Sequence, residues 1–335
     1  MFPVWQNIQG HDAIVDRFRR AFERRRLAGS FLFVGPPGVG KRRFAFALAM
    51  GLLCKKQENL NPCGTCDSCK LFGGHNSTNL NLDTADFISP HPDLYYIAKP
   101  PDKSFLPMEL LVGDKDPRGR AGLCYNISRT PFLGNRKVAI LNDADFFNAE
   151  GANALLKTLE EPPTDAVLIL IGTSTAKQLP TIRSRCQIVR FSPLSPEILS
   201  AILVEKGIAS SVAQGEKWAS QAEGSLDQAK ELADGDIDSL RTNLMKYLSA
   251  SHCDAVALAT ELNGLVEALG KDAAPRRRRT RLIFGLALEY FRNGMKSADS
   301  RGAVRRLERT LDALEHVDRN ANLPLVIEAW AGALK

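Results

Sequence analysis

The sequence predicts a parallel α/β domain with a phosphate-binding loop, followed by an all-helical remainder, and three observations predict it. Short apolar or β-branched runs at Phe31 to Val34, Val138 to Leu141 and Val167 to Ile171 alternate with helical patterns, as strands buried on both faces of a parallel sheet do. A Gly/Pro turn links the first run to a helix over about Arg42 to Leu53. Beyond Pro193 and Pro196 strand patterns vanish and helical periodicity takes over, beginning with Ile198, Ile202 and Leu203.

At 335 residues the chain is long enough for two or three domains. Its 44% hydrophobic and 24% charged residues suit a globular protein with a sizeable core. No stretch approaches the ~18 to 20 consecutive apolar residues of a membrane span, and Met1 to Gly10 lacks the basic and apolar regions of a secretory leader. A cytoplasmic protein with no membrane contact is expected. The net charge of +6 permits nucleic-acid contact without requiring it. Seven cysteines, an odd number, are too few for a disulfide-dense secreted scaffold.

After the first strand comes Gly35-Pro36-Pro37-Gly38-Val39-Gly40-Lys41, which opens a helix. In that context the pattern is a P-loop. Its glycines let the backbone curl so that N–H groups converge, the helix N-terminus adds positive potential, and the lysine reaches the outer phosphates. Gly35, Gly38, Gly40 and Lys41 are therefore candidate nucleotide-binding residues. The next position calls for Ser or Thr to help hold Mg²⁺, yet it is Arg42. A guanidinium has donors only and no lone pair to offer a metal. The loop is read as degenerate, and ATP binding as doubtful.

The helix after the loop runs into a cysteine cluster, Cys54-x8-Cys63-x2-Cys66-x2-Cys69, with the last three in a Pro/Gly-containing knuckle. Four thiolates so close suit tetrahedral Zn²⁺, and a site with four protein ligands is closed and hence structural. A redox Cys-x-x-Cys pair would leave the other two thiols unexplained. Cys124 and Cys253 read as ordinary thiols.

The strand at Val138 to Leu141 leads into Asn142-Asp143-Ala144-Asp145, which puts Asp143 where a Walker B aspartate belongs. In ATPases of the AAA+ type a Glu follows and polarises the attacking water. Here Ala144 follows, and a methyl group cannot act as a general base. Asp145 lies one residue further, out of the pattern.

Downstream, Asn153-Ala154-Leu155-Leu156-Lys157-Thr158-Leu159-Glu160-Glu161-Pro162-Pro163 precedes a strand, Gly172-Thr173-Ser174, and then Thr181-Ile182-Arg183-Ser184-Arg185-Cys186. With the P-loop, the four cysteines and His91-Pro92-Asp93-Leu94, these motifs closely resemble bacterial clamp-loader subunits of DNA polymerase III. The resemblance is strong over residues 1 to about 192 and mostly architectural beyond. It implies an AAA+ α/β P-loop domain over 1–192 with an embedded zinc knuckle at 54–69. A small helical lid over 193–236 and an all-α collar over 237–335, through which subunits assemble, would follow.

Within that family one kind of subunit, gamma/tau, hydrolyses ATP, and another keeps the fold without a working site. Arg42, Ala144 and Asp227, the last standing where a sensor-2 arginine is expected, imply the second kind, with no ATPase activity of its own. Thr173 or Ser174 fills the sensor-1 position. The Ser184-Arg185-Cys186 motif implies that Arg185 acts as an arginine finger in the ATP site of a neighbouring subunit. The partners implied are gamma/tau and delta subunits, with the sliding clamp and primer-template DNA met through the assembled complex. A gamma/tau-like ATPase tolerating Arg42 and Ala144 is the first alternative, and a stand-alone zinc-containing DNA-binding protein the second.

The helical tail is read from Leu240, Leu244, Tyr247 and Leu248; Leu258, Leu262, Leu265 and Leu269; Leu282 to Phe291; Leu307, Leu311 and Leu314; and Leu325 to Trp330. Arg276 to Arg279 form a charge run, read as a solvated helix start or loop, with a DNA-facing patch as the alternative. His75 to Pro92 and Lys99 to Arg120 read as loops.

Overall fold

A computed structural model describes residues 4–72, 89–100, 103–113, 121–233, 235–250, 254–270, 273–294, 300–319 and 321–334. Residues 75–88 of the Asn-rich stretch, residues 114–120 and Cys253 lie outside them. The chain divides into two compact units, Met1–Ala229 and Lys230–Lys335.

The first unit is built on five parallel strands: β1 (Ser30–Val34), β2 (Leu94–Ile97), β3 (Lys137–Leu141), β4 (Ala166–Gly172) and β5 (Gln187–Arg190), in the order β2-β3-β4-β1-β5. Every residue of β1, β3 and β4 is buried. Their alternation builds two cores, because successive side chains of a strand point to opposite faces. Phe31, Phe33, Val138, Ile140, Val167 and Ile169 face one core, with Phe18 of α1 (Asp12–Glu23) and Phe44 of α2 (Lys41–Leu53). Leu32, Val34, Ala139, Leu141, Leu168 and Leu170 face the other, with Leu155 and Leu159 of a helix that follows β3. Fully burying one such side chain contributes roughly 1.5 to 3 kcal/mol, so β1 and β4, paired from Ser30↔Leu168 to Val34↔Gly172, form the stiff centre from which the loops project.

Short helices fill the connections: α3 (Asp67–Leu71), α4 (Glu109–Val112), α5 (Gly122–Ile127), α6 (Ala149–Glu160) and α7 (Pro180–Arg183). The side chain of Asn148 caps α6, accepting from Gly151 N–H at 2.8 Å. After β5 come α8 (Pro196–Glu205), capped by Ser195, then α9 (Val212–Gln221), capped by Ser211, and α10 (Leu226–Ala233). The stretch Lys99 to Arg120, expected as a loop, contains α4. Asp93 is fully buried and ties the start of β2 to the turn before β3, accepting from the N–H groups of Phe132, Leu133 and Gly134 at 2.6 to 2.8 Å. Burial works against its ionisation, but these three donors hold its carboxyl below the ordinary range.

The second unit is helical: α11 (Gly235–Ser249), α12 (Ala255–Glu267), α13 (Ala273–Gly294), α14 (Ser300–Asp318) and α15 (Leu323–Gly332). Leu240, Leu244, Leu258, Leu262, Phe284 and Trp330 share one core, and the Trp330 indole N–H donates to buried Thr310 Oγ1 at 2.9 Å. Four leucines of the expected stripes lie outside that core: Leu265, Leu269, Leu311 and Leu325 are exposed. On α12 the buried row is Leu258, Leu262 and Val266, spaced i, i+4, i+8, and Leu265 is one position off it. Arg276 to Arg279 lie near the start of α13, where cations oppose the helix dipole. Arg278 meets Glu231 at 3.5 Å and Arg276 reaches the Glu267 carbonyl at 3.5 Å. Among the described residues no helix is long and apolar enough to cross a membrane.

Candidate functional site

The turn from β1 into α2 is the expected phosphate loop. Its entrance is pinned to the end of β4 by Gly35 N–H donating to Thr173 O at 3.1 Å. Gly38 and Gly40 adopt φ of +73° and +96°, which a residue with a Cβ adopts only with strain. At Gly38 the requirement is also spatial, because a Cβ would lie 2.2 Å from Ser225 Oγ and 2.8 Å from Asp227 N. The start of α10 is seated on the loop, Leu226 N–H donating to Gly38 O at 3.0 Å. Asp227 thus stands against Gly38, within electrostatic range of Lys41.

Lys41 is 7% exposed, and its ammonium donates to Gly35 O at 2.6 Å and Pro36 O at 2.5 Å. The loop's own carbonyls take two of its three N–H donors. Burial lowers this lysine to about 8, against the opposing pull of the Asp145 and Asp227 carboxylates. On the other side, the buried ring of His11 donates from Nε2 to Val39 O at 2.7 Å. Its own pKa is depressed by burial, so the neutral imidazole serves as a brace for the loop. Beside the loop lies an open cleft lined by Ile8, His11, Val39, Leu194, Ile202 and Leu226.

Arg42, half-buried, lies beside the Tyr96 hydroxyl and within electrostatic range of Asp143. Burial raises the carboxyl of Asp143, and the Lys99 N–H, at 3.3 Å, together with the charges of Lys99 and Arg42, counteracts it. The carboxylate at the expected Walker B position therefore lies within range of protein cations, and a guanidinium comes from the position where a hydroxyl would help hold Mg²⁺. Ala144 is buried. Asp145 is committed to structure: it accepts from Thr173 N–H at 2.9 Å, from Thr173 Oγ1 at 2.6 Å and from Gln178 Nε2. Thr173, one of the two residues at the expected sensor-1 position, is thereby bonded to Asp145.

At the opposite end of α2, Cys54 follows as the cap residue, and Cys66 precedes α3, which carries Cys69. The four sulfurs of Cys54, Cys63, Cys66 and Cys69 lie within 4.8 Å of one another. Cys54 and Cys66 are 3.8 Å apart, the edge of a tetrahedron with Zn–S bonds of about 2.3 Å. Cys63 N–H points at the Cys54 sulfur and Cys66 N–H at the Cys63 sulfur, each at 3.3 Å, as suits thiolates. Burial opposes ionisation of Cys63, but hydrogen bonds from Thr65 and Cys66 hold it at about 6; burial pushes Cys54 and Cys69 up. Two thiols driven up and one driven down, all facing one point, is a donor set that a dication would complete.

Arg185 follows α7 and is less open than an ordinary surface charge, its side chain 27% exposed. Nη2 pairs with Glu160 Oε1 at 2.5 Å, and Nη1 donates to Thr181 O at 3.1 Å and Ser184 Oγ at 3.2 Å. Arg183 is exposed and reaches only as far as Thr175 O, at 3.4 Å. Spacing gave no sign of His11, Tyr96, Lys99 or Glu160 as partners of these residues, since each contact joins segments 25 or more residues apart. Glu160 stands inside a motif quoted above, without a role that spacing could give it.

A parallel sheet of this order with a glycine-rich loop between β1 and α2, and four clustered cysteines at the far end of α2, defines an AAA+-like P-loop protein carrying a four-cysteine knuckle. Residues 10–195 match the profile of the family described as "DNA polymerase III, delta subunit", and the chain belongs to that family of clamp-loader subunits. It is 36% identical over 163 residues to the DNA polymerase III subunit delta' of Pseudomonas aeruginosa, covering 49% of this chain and 43% of that one. With the delta' subunit of Escherichia coli K12 it shares 27% identity over 278 residues, covering 72% of this chain and 76% of that one. With the tau subunit of the same organism it shares 30% over 281 residues, covering 80% of this chain and 39% of that one. The chain thus spans less than half the length of the Pseudomonas relative.

Proposed function

We propose that this chain is a delta-prime-type subunit of a clamp loader, a cytoplasmic protein that hydrolyses no ATP and works through its neighbours. In the assembled ring gamma/tau subunits hydrolyse ATP, delta opens the sliding clamp, and the ring loads it onto primed DNA. This chain places Arg185 in a neighbour's ATP site, where a guanidinium beside the γ-phosphate contributes ~10³ to 10⁵ in rate. Residues 1–192 are the AAA+ domain with a structural Zn²⁺ on Cys54, Cys63, Cys66 and Cys69. Residues 193–236 are its lid, and 237–335 the collar through which the subunits join.

The observation that supports this reading best is the self-filled phosphate loop. Lys41 bonds to the carbonyls of Gly35 and Pro36, Arg42 faces Asp143, and α10 is seated on Gly38. A nucleotide would have to displace all three, and Asp227 would repel it. The test is turnover: the purified chain with Mg²⁺ and ATP should release no phosphate above background, and the complex reconstituted with it should load clamps. Mg²⁺-dependent turnover by the isolated chain would return it to the gamma/tau kind.

A further inference from the structure

The run from Asn153 to Pro163 is the motif to which the proposal above gives no task, and its end meets Arg185. We infer that Glu160 is a positioning residue for Arg185, fixing the guanidinium so that its remaining Nη2 donor meets the terminal phosphate held by a neighbouring subunit. This rests on the trans role of Arg185 proposed above.

The end of α6 is held in place independently of Arg185. Leu155 and Leu159 are buried in the core beneath it, and Ser30 Oγ donates to Leu159 O at 3.3 Å. Pro162 lies so close to the backbone ahead of β1 that a Cβ on Gly29 would sit 2.4 Å from its Cγ. Ala166 N–H then bonds Pro163 O at 2.8 Å. The Glu160 carboxylate accordingly projects from a fixed point of the backbone.

Arg185 is anchored in its turn by its N–H donating to Ile182 O at 3.1 Å and by the buried Cys186 that follows. A guanidinium has five N–H donors in a rigid fork. Both on Nη1 are directed inward, to Thr181 O and Ser184 Oγ, and Glu160 takes one on Nη2. The Nε–H is buried and has no acceptor among the described residues. A buried N–H cannot reach a phosphate on another subunit, so the donor left for one is the second N–H of Nη2.

A partly exposed ion pair contributes little to stability, and the carboxylate offsets part of the finger's charge. Its use is orientation: it removes the rotamer freedom of a long side chain before the phosphate arrives, and a reacting geometry set in advance raises rate rather than affinity. A hydrogen-bond acceptor at position 160 suffices for that, whatever its charge.

The experiment uses the full chain reconstituted with the other clamp-loader subunits, reading ATP turnover stimulated by clamp and primed DNA. Arg185→Ala should lower kcat by about twofold or more, since one of several sites loses its finger. Glu160→Ala should lower kcat by a similar factor with KM for ATP, complex assembly and urea midpoint unchanged, and Glu160→Gln should restore most of the rate. The double variant should be no slower than Arg185→Ala alone, as expected for residues acting as a unit. A complex that is slow with Arg185→Ala but at full rate with Glu160→Ala, or a double variant whose losses multiply, overturns the positioning role alone. Full rate with Arg185→Ala overturns the trans role and this inference together.

Discussion

The two ends of α2 carry the two sites read from the sequence, and they differ in how much each one needs. At the C-terminal end, four sulfurs within 4.8 Å form a complete ligand set from one short stretch of chain, Cys54 to Cys69. At the N-terminal end a working nucleotide site needs groups from α2, β3, β4 and α10 together with an open space between them. There the glycines and the lysine remain, but protein atoms fill the space: Lys41 on Gly35 and Pro36, Arg42 towards Asp143, and Ser225 and Asp227 against Gly38. A local site is intact or absent as a unit. A distributed one can keep its backbone while losing its chemistry, provided its buried polar groups find partners inside the protein.

The largest difference between the two ends should appear on metal removal. Structural zinc contributes folding free energy, roughly 10 to 16 kcal/mol in free zinc-finger peptides. Here the cluster is fixed to α2 and the surrounding core, so stripping the metal or substituting Cys66→Ser should lower the stability of the first unit by only part of that, still several kcal/mol. The helical second unit, with its own core, should melt as before. Calorimetry beside metal analysis checks this, and protein purified without chelator that contains no zinc would remove the metal from the knuckle.

A smaller effect should come from the buried lysine. Lys41 is held at about 8 in the folded protein, against about 10.4 in an unfolded chain. Between those values the unfolded state binds more protons, so stability rises with pH across that window. Relative to Lys41→Met, the unsubstituted protein should therefore be stabilised by up to about 3 kcal/mol between pH 8 and 10.5. Urea denaturation of both proteins across that range measures the difference, in which the other groups that titrate there cancel. A difference independent of pH would mean that burial does not depress the Lys41 ammonium.

How much of this was legible follows from where each signal resides. β1, β3 and β4 were readable because strands buried on both faces are continuously apolar. β2 and β5 were not read as strands: each has only four residues and lies at a sheet edge, and half or more of their positions are not buried. The cysteine cluster was legible in full because all its ligands are close in sequence. The departures from the nucleotide-site pattern at Arg42, Ala144 and Asp227 were legible, but not the contacts made around them. His11 and Val39 are 28 residues apart, Lys99 and Asp143 are 44 apart, and Glu160 and Arg185 are 25 apart, so those contacts exist only once the sheet is formed. On α12 and α14 the leucine periodicity was real but did not mark which leucines point inward, as exposed Leu265 and Leu311 demonstrate.

The smallest effect on stability, and the one that most sharpens the contrast between the two ends of α2, is expected from Arg42→Ser, which restores the hydroxyl that the loop pattern calls for. Because Arg42 is only half-buried, its removal should cost about 1 to 2 kcal/mol at neutral pH through the loss of a cation near the buried Asp143. Burial already raises the Asp143 carboxyl, and without the guanidinium it should rise further. A raised folded pKa gives stability that is present below the unfolded value of about 3.9 and is lost as pH rises through the folded one. The deficit of the variant should accordingly be small near pH 4 and grow towards pH 7, which denaturation at several pH values can follow. Turnover should stay at background in the same preparation, because Ala144 supplies no base, Asp227 still faces Lys41, and α10 still sits on Gly38. If Arg42→Ser alone gives Mg²⁺-dependent ATP hydrolysis, the loop is a dormant site one residue from activity rather than a filled one, and the contrast with the cysteine cluster fails.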